Sequence, residues 1–559
     1  MNQQLKTETH YRSCNICEAI CGLEIKVAGG KVTSIRGDKK DPFSRGHICP
    51  KAVALKDLQE DPDRLRRPVK RVGEEWQEIE WDEAFGLVVE RLCDIQAEHG
   101  RNAVGIYMGN PSSHNYGITT HSSHLFRLMR SRNRFSATSA DQLPVQLVAY
   151  LMYGHQFLLP IPDIDRTDYF LMLGANPLAS NGSMMTVPDV AKRLAELQAR
   201  GGKVIVIDPR RTETAEIADA HHFIRPGTDA ALLLGILSTL FEEGLEDTVA
   251  LAPHLDGLED VRTAVAPFTA ERAADVTGID AITIRGMARD MAAANAGVCY
   301  GRMGISTQAF GTLSQWLVQM INIVTGNLDR PGGALFTAPA LDLLKNGMGA
   351  GHFGVWKSRV SDLPEFSGEL PCTVMAEEMQ TPGENQIRGL FTVAGNPVLS
   401  TPNGGQLDDA LSGLEFMVCV DPYINETTRH ADVILPPTAP LEHDHYDTVF
   451  NMLSVRNVAR FNAPVLPKPN NAFHDWEIFT QLGNRMAKRL GQEIDEPPTP
   501  AEIVDTGLCV GPYSKAEGHD LELDLDTLRD HKHGLDLGPL QPSLPDRLWH
   551  EDKRIRCAP

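Results

Sequence analysis

The chain has 559 residues, 42% of them hydrophobic, with 74 acidic against 53 basic side chains and a formal net charge of −21. That length calls for several domains, the acidity argues against nucleic acid or an anionic membrane surface as partner, and no apolar run approaches the ~18 residues of a membrane span. The opening MNQQLKTETHYRSC has neither an apolar segment nor a twin-arginine pair, so no export signal is read and a cytoplasmic location is expected.

In that compartment thiols stay reduced, and ten cysteines in the whole chain are too dilute for a disulfide scaffold. Four of them, Cys14, Cys17, Cys21 and Cys49, follow the pattern C-x2-C-x3-C-x27-C. Three ligands from one tight loop and a fourth from elsewhere suit a 4Fe-4S cluster; zinc favours paired C-x2-C units. The intervening LEIKVAGGKVTSIRGD alternates apolar and polar residues around Gly29-Gly30, a hairpin signal. The ligands are therefore expected on a small β-rich domain over residues 1–60, and the other six cysteines are read as core thiols.

Further on, FSATSADQLPVQLVAYLMYGH (135–155) reads as a loop entering a helix from about Leu143, with Asp141 or Ser139 placed to cap it. Next comes an internal repeat. DPRRTETAEIAD from Asp208 and DPYINETTRHAD from Asp421 share D-P-x3-E-T-x3-A-D. Glu213, Thr214 and Asp219 of one copy match Glu426, Thr427 and Asp432 of the other. Each copy follows a β-branched run, and each is preceded by a strand ending in a turn, LMLGANP (171–177) or FTVAGNP (391–397). Between turn and second strand lies a helix whose apolar face is Val190, Ala191, Leu194 and Leu197, or Leu407, Ala410, Leu411 and Leu414. Both units read as doubly wound α/β with parallel strands, where ligands bind beyond the carboxyl ends of the strands. There Gly174 and Gly395 allow close backbone approach, Asn176 and Asn396 offer amides next to Pro177 and Pro397, and Asp208 and Asp421 offer carboxylates to a ribose or guanine edge.

CNICEAIC with GHICPKA, MLGANP, VIDPRRTETA, FIRPGTDAAL, GRMGISTQ, IVTGNLDRPGG, VAGNP, DPYINETTRHADVILP and ARFNAPVLPKPNNAFHDWEIFTQLG together resemble the molybdopterin oxidoreductases of the dimethyl sulfoxide reductase type. The resemblance implies two molybdopterin guanine dinucleotides around one Mo or W, with a 4Fe-4S cluster on Cys14, Cys17, Cys21 and Cys49. It implies guanosine contacts from Asp208 and Asp421 and further cofactor contacts from Arg210, Thr212, Gly227, Asp229, Met303, Gly304, Glu426 and Thr427. It places Lys51 between cluster and pterin. Alignment on Pro144 puts Asp141 at the metal-ligand position, a hard oxygen donor suited to a high-valent metal, with Ser139 the second candidate.

Departures bear on substrate. The Arg-Gly-x-Asn-Asn motif of formate enzymes is missing after IVTGNLDRPGG, and Cys14 stands where respiratory nitrate reductases have His. His352, His443 and His445 are open to substrate-side or core roles. The chain stops at KRIRCAP, about where the family's C-terminal barrel-like domain would begin. The expected division is 1–60 for the cluster, 136–330 for the first repeat, 61–135 with 331–480 for the second, and 481–559 as a linker to a barrel-like domain that is absent. The expected function is electron transfer between a buried metal acting on a small-molecule substrate and a ferredoxin-like or flavoprotein partner. The alternatives are a relay or assembly subunit without molybdenum, like the large iron–sulfur subunit of respiratory complex I, and non-redox hydration.

Overall fold

The computed structural model describes residues 6–345 and 347–559. The alternation of Leu23, Ile25 and Val27 with polar residues dictates a one-faced meander: Thr7–Ser13 pairs antiparallel with Gly22–Ala28, which pairs antiparallel with Lys31–Gly37. Gly29 and Gly30 make the turn at φ 59° and 76°, the doubly left-handed geometry of a two-residue hairpin, which glycine adopts without strain. Leu23 and Ile25 are fully buried in a cluster with Leu441, Val465 and Leu466.

Two compact units follow from the contacts. The first runs through Ala140 and continues over His352–Val449 and Arg460–Leu535. Its seven-stranded sheet has the order Glu75–Glu78, Val69–Val72, Val433–Leu435, Phe416–Val420, Gly389–Val393, Val104–Met108, Arg134–Ser136. The five strands from Val433–Leu435 onward are parallel, and the first two form an antiparallel edge. All five residues of Gly389–Val393 are buried, as expected when helices cover both faces of a parallel sheet. On one face Phe391, Val418 and Leu435 pack under helices Trp81–His99, Tyr116–Met129 and Asp475–Arg489; on the other, Leu390, Met417 and Ile434 pack under Met375–Gln380 and Gly404–Leu411.

The second unit comprises Asp141–Gly351, Phe450–Ala459 and Asp536–Pro559. Its four parallel strands lie in the order Ala220–His222, Lys203–Ile207, Tyr169–Leu173, Gly297–Gly301. Strand for strand this repeats Val433–Leu435, Phe416–Val420, Gly389–Val393 and Val104–Met108 of the first unit. The fourth strand comes last in the chain in one copy and first in the other, so the repeat is permuted. The helices that follow the first strand of each motif, Val190–Ala199 and Gly404–Leu411, both start from a left-handed residue, Asp189 or Asn403, each at φ 58°.

The tail departs from the linker reading. Pro500 is the first residue of a helix, Pro500–Cys509, whose N-terminus is closed by a capping box between Thr499 and Glu502; in that setting proline starts a helix rather than ending structure. Val504, Leu528, Leu540, Ile555 and Cys557 are buried, and Ile555–Arg556 pairs with Leu255–Asp256. Residues 331–351, read with the second repeat, belong to the second unit, where Ala334–Leu335 pairs with Ile161–Pro162. Among the described residues no helix is long and apolar enough to cross a membrane.

Candidate cofactor-binding site

Each unit builds the same hydrogen-bonded corner at the carboxyl ends of its strands. In the second unit Asn176 Nδ2 donates to Glu213 Oε2 at 2.7 Å, and Asn176 Oδ1 accepts from the Thr214 hydroxyl at 2.8 Å. In the first unit Asn396 donates to Glu426 at 2.7 Å and accepts from Thr427 at 2.7 Å. The threonine oxygen then accepts the backbone N–H of Leu178 at 3.2 Å or of Val398 at 3.1 Å. Asp219 and Asp432 accept the N–H of Val204 and Met417, both at 2.8 Å. The shared spacing D-P-x3-E-T-x3-A-D is thus the wiring of a turn. Asn176, Asn396, Glu426 and Thr427, offered to a ligand on sequence grounds, use polar atoms inside the corner.

The two Asp-Pro carboxylates are less committed. Asp208 Oδ1 accepts the Arg210 N–H at 2.8 Å and Asp421 Oδ1 that of Tyr423 at 2.9 Å; a carboxylate has about four acceptor positions, so both retain capacity for donors. Asp421 is 8% exposed, and burial pushes its pKa up to about 6 against the Tyr423 N–H, which lowers it. Asp229, first residue of the helix Asp229–Glu242, is also raised by burial and accepts from Gln308 Nε2 at 2.8 Å. Thr212 caps the helix Glu213–Ile217, Arg210 is exposed 3.8 Å from Glu213, Gly227 sits at φ 84° ahead of Asp229, and Met303 is 54% exposed. Pro177 and Pro397 each open a one-turn helix.

Gly174 at φ 55° and Ala394 at φ 48° are the equivalent left-handed residues of the two turns. A Cβ on Gly174 would lie 2.7 Å from Gly304 Cα, and one on Gly395 would lie 2.6 Å from the Tyr107 ring and 2.9 Å from Gly109 Cα. Backbone thus packs against backbone at both positions, an approach that only glycine permits.

The cysteine loop closes through Cys14 N–H to Cys21 C=O at 2.8 Å. It holds Ile20 at φ 43°, a strained setting for a β-branched residue. Cys49 stands immediately before the short helix Pro50–Val53, which carries the exposed Lys51. Burial raises the Cys14 thiol to about 12 and also raises Cys17 and Cys21; each of these three senses Cys49 electrostatically, and Lys51 pulls Cys17 back down. The N–H groups of Ile16 and Ala19 also lower Cys14 and Cys17. Among the described residues no three His, Cys, Asp or Glu side chains are close enough to hold a single metal ion. Four thiols within electrostatic range of one another, with N–H donors turned to sulfur, match the ligand set of an iron–sulfur cluster.

Asp141 ends the short helix Thr138–Asp141. The next helix, Leu143–Tyr153, begins from Gln142 without a side-chain cap, so Asp141 does not cap it. Its Oδ2 accepts from Arg302 Nη2 at 3.1 Å. Ser139 Oγ accepts the Cys372 N–H at 2.9 Å and is thereby engaged within the first unit. His352 pairs with Glu365 at 2.9 Å. His443 and His445 are buried, and burial lowers His443 to about 3. Arg302 escaped the sequence reading; its signal is a charged residue directly after the wholly buried strand Gly297–Gly301.

A family model described as Molybdopterin oxidoreductase matches residues 64–485, and one described as Molybdopterin oxidoreductase Fe4S4 domain matches residues 8–60. The chain is 28% identical over 532 residues to the assimilatory nitrate reductase catalytic subunit of Bacillus subtilis (strain 168), covering 87% of this chain and 70% of that protein. It is 26% identical over 503 residues to formate dehydrogenase H of Escherichia coli (strain K12), covering 85% and 67%. The solved structure of acetylene hydratase from Pelobacter acetylenicus matches with a TM-score of 0.76 at 19% identity, covering 98% of this chain and 77% of that one, a likeness of fold.

Proposed function

This chain belongs to the molybdopterin oxidoreductase family, and on that premise we propose that it passes electrons between a buried metal centre and a partner protein through its N-terminal cluster. It is a molybdopterin-dependent oxidoreductase, and its cofactors are an Fe4S4 cluster and molybdopterin with Mo or W. When bound, the metal supplies the two-electron chemistry and the cluster the single-electron steps.

The observation that carries the finer reading is the duplicated corner, one copy per unit, which calls for a ligand with two similar halves. In this reading Asp208 and Asp421 accept guanosine donors from two pterin dinucleotides, and Asp229, Met303 and Gly304 complete the first of these sites. Cys14, Cys17, Cys21 and Cys49 hold the cluster, and Lys51 sets its electrostatic surroundings. Asp141 is the protein's ligand to the metal, supported by its freedom from helix capping and by the engagement of Ser139 elsewhere. The partner is an electron carrier of the ferredoxin or flavoprotein kind, and the substrate is a small molecule.

Metal analysis tests the reading directly: about one Mo or W and about four irons per chain are expected, and iron alone would reduce the protein to a relay. X-ray absorption on Asp141→Ala should show one metal–oxygen ligand fewer, with cluster spectrum and pterin content kept. Unchanged coordination would eliminate Asp141.

A further inference from the structure

The two units share four strands, one for one, but the strand Arg134–Ser136 has no counterpart in the second sheet. It pairs parallel with Val104–Met108 and forms the edge of the seven-stranded sheet. A duplicated corner suits a ligand with two similar halves, whereas an element present once suits a task that occurs once. Just beyond this strand begins the short helix Thr138–Asp141, which ends at the residue read as the protein's ligand to the single metal. The segment Glu369–Cys372 is fastened along this stretch. Leu370 N–H donates to Arg134 C=O at 2.8 Å, Ser136 Oγ to Glu369 Oε2 at 2.5 Å, and Cys372 N–H to Ser139 Oγ at 2.9 Å. Ser136 Oγ in turn accepts the Thr138 N–H at 3.1 Å, so hydrogen bonds run from the Glu369 carboxyl to the first residue of the helix. Glu369 itself stands on a tight turn: Ser367 and Gly368 lie at φ 53° and 91°, and Phe366 and Glu369 exchange N–H to C=O bonds of 2.9 and 3.1 Å. That two-residue hairpin geometry leaves the backbone little freedom.

The Glu369 carboxyl is half-buried, and burial raises it against the Ser136 hydroxyl and the Arg134 guanidinium, which lower it. Arg134 stays charged. The Tyr107 phenol and the Cys372 thiol also sense Glu369; both are pushed up by burial and stay neutral. On the same hairpin His352 and Glu365 pair with each other. The Glu369 carboxyl is therefore the member of this set whose charge changes between acid and neutral pH. We propose that Glu369 is a positioning residue for the metal ligand. Ionised, it takes a charge-assisted hydrogen bond from Ser136 and makes that hydroxyl oxygen a stronger acceptor for the Thr138 N–H, holding the helix and Asp141 in one setting. Protonated, it releases them to a second. The assignment rests on the reading of Asp141 as the protein's ligand to the metal.

The metal-loaded protein is titrated from about pH 5 to about pH 8, the span into which a raised carboxyl moves, following the metal's paramagnetic resonance signal in wild type, Glu369→Gln and Ser136→Ala. The wild-type signal is expected to convert between two forms. Glu369→Gln keeps an acceptor for Ser136 without the charge, so a single form should persist at every pH. Ser136→Ala keeps the carboxyl but cuts the link, and should lose the conversion as well. A pH-independent signal in the wild type overturns the proposal. So do equal profiles in wild type and E369Q, the result of a purely structural clamp, whose loss would show only as a lower urea midpoint. Should E369Q fail to take up metal, S136A carries the comparison, and a conversion matching wild type refutes the link. X-ray absorption on Asp141→Ala scores the ligand assignment separately. An oxygen ligand lost there, with wild-type pH profiles in E369Q and S136A, overturns only the role of Glu369; an oxygen ligand kept overturns both.

Discussion

Replacing Asp421 by asparagine keeps the side-chain volume and the oxygen that accepts the Tyr423 N–H at 2.9 Å, and removes only the charge. In the folded chain burial raises this carboxyl from 3.8 to about 6, so the folded state binds the proton more tightly than the unfolded one. Its contribution to stability is therefore full below pH ~4 and is lost as pH rises through about 6; at about 1.4 kcal/mol per pH unit the loss reaches roughly 2–3 kcal/mol by pH 7. D421N should match the wild type near pH 4 and exceed it by about 2 kcal/mol at pH 7 to 8. Urea unfolding of the cofactor-free protein across pH 4–8 measures the difference. A parallel titration with GDP should show wild-type affinity rising as pH passes about 6, where the ionised carboxylate accepts guanine N–H donors, and a flat, weaker profile for the variant. Parallel pH profiles for the two proteins in both assays would refute the claim that a buried, titrating carboxylate is kept here for a ligand.

Cys49→Ser should lower iron content and bleach the broad visible absorbance, as should the same change at Cys14, Cys17 or Cys21; four irons retained in all four variants would sink the cluster assignment. Asn176→Ala strands the buried Thr214 hydroxyl, and Asn396→Ala that of Thr427, so each should cost about 1–3 kcal/mol in urea unfolding and lower pterin content. His443 and His114 are held by burial at about 3 and about 4, against ~6.5 when unfolded. Both stay neutral in the folded chain, so their contribution is full above pH 6.5 and is lost as pH falls; His443→Gln should remove on the order of 3 kcal/mol of the destabilisation seen between pH 6.5 and 4.

What the sequence carried by itself was whatever short-range spacing can encode. The Gly29-Gly30 hairpin, the C-x2-C-x3-C loop and the paired D-P-x3-E-T-x3-A-D segments all work over a dozen residues or fewer. Turn chemistry and hydrophobic period operate on that scale. The fully apolar strand runs disclosed parallel sheets for the same reason. Proline marks both a linker and a helix start, and at Pro500 the Thr499–Glu502 box is what makes it the second.

Tertiary structure alone decided the remainder. The fourth strand of each repeat arrives from opposite ends of the sequence order, Val104–Met108 before its partners and Gly297–Gly301 after, so no linear motif could pair them. The amides of Asn176 and Asn396 meet carboxylates 37 and 30 residues downstream, partners that neither turn sequence announces. Arg302 reaches Asp141 across 161 residues of chain, a pairing that no local spacing encodes. A polar side chain's role depends on which partners and how much solvent remain once the chain has folded, and neither is written in its spacing.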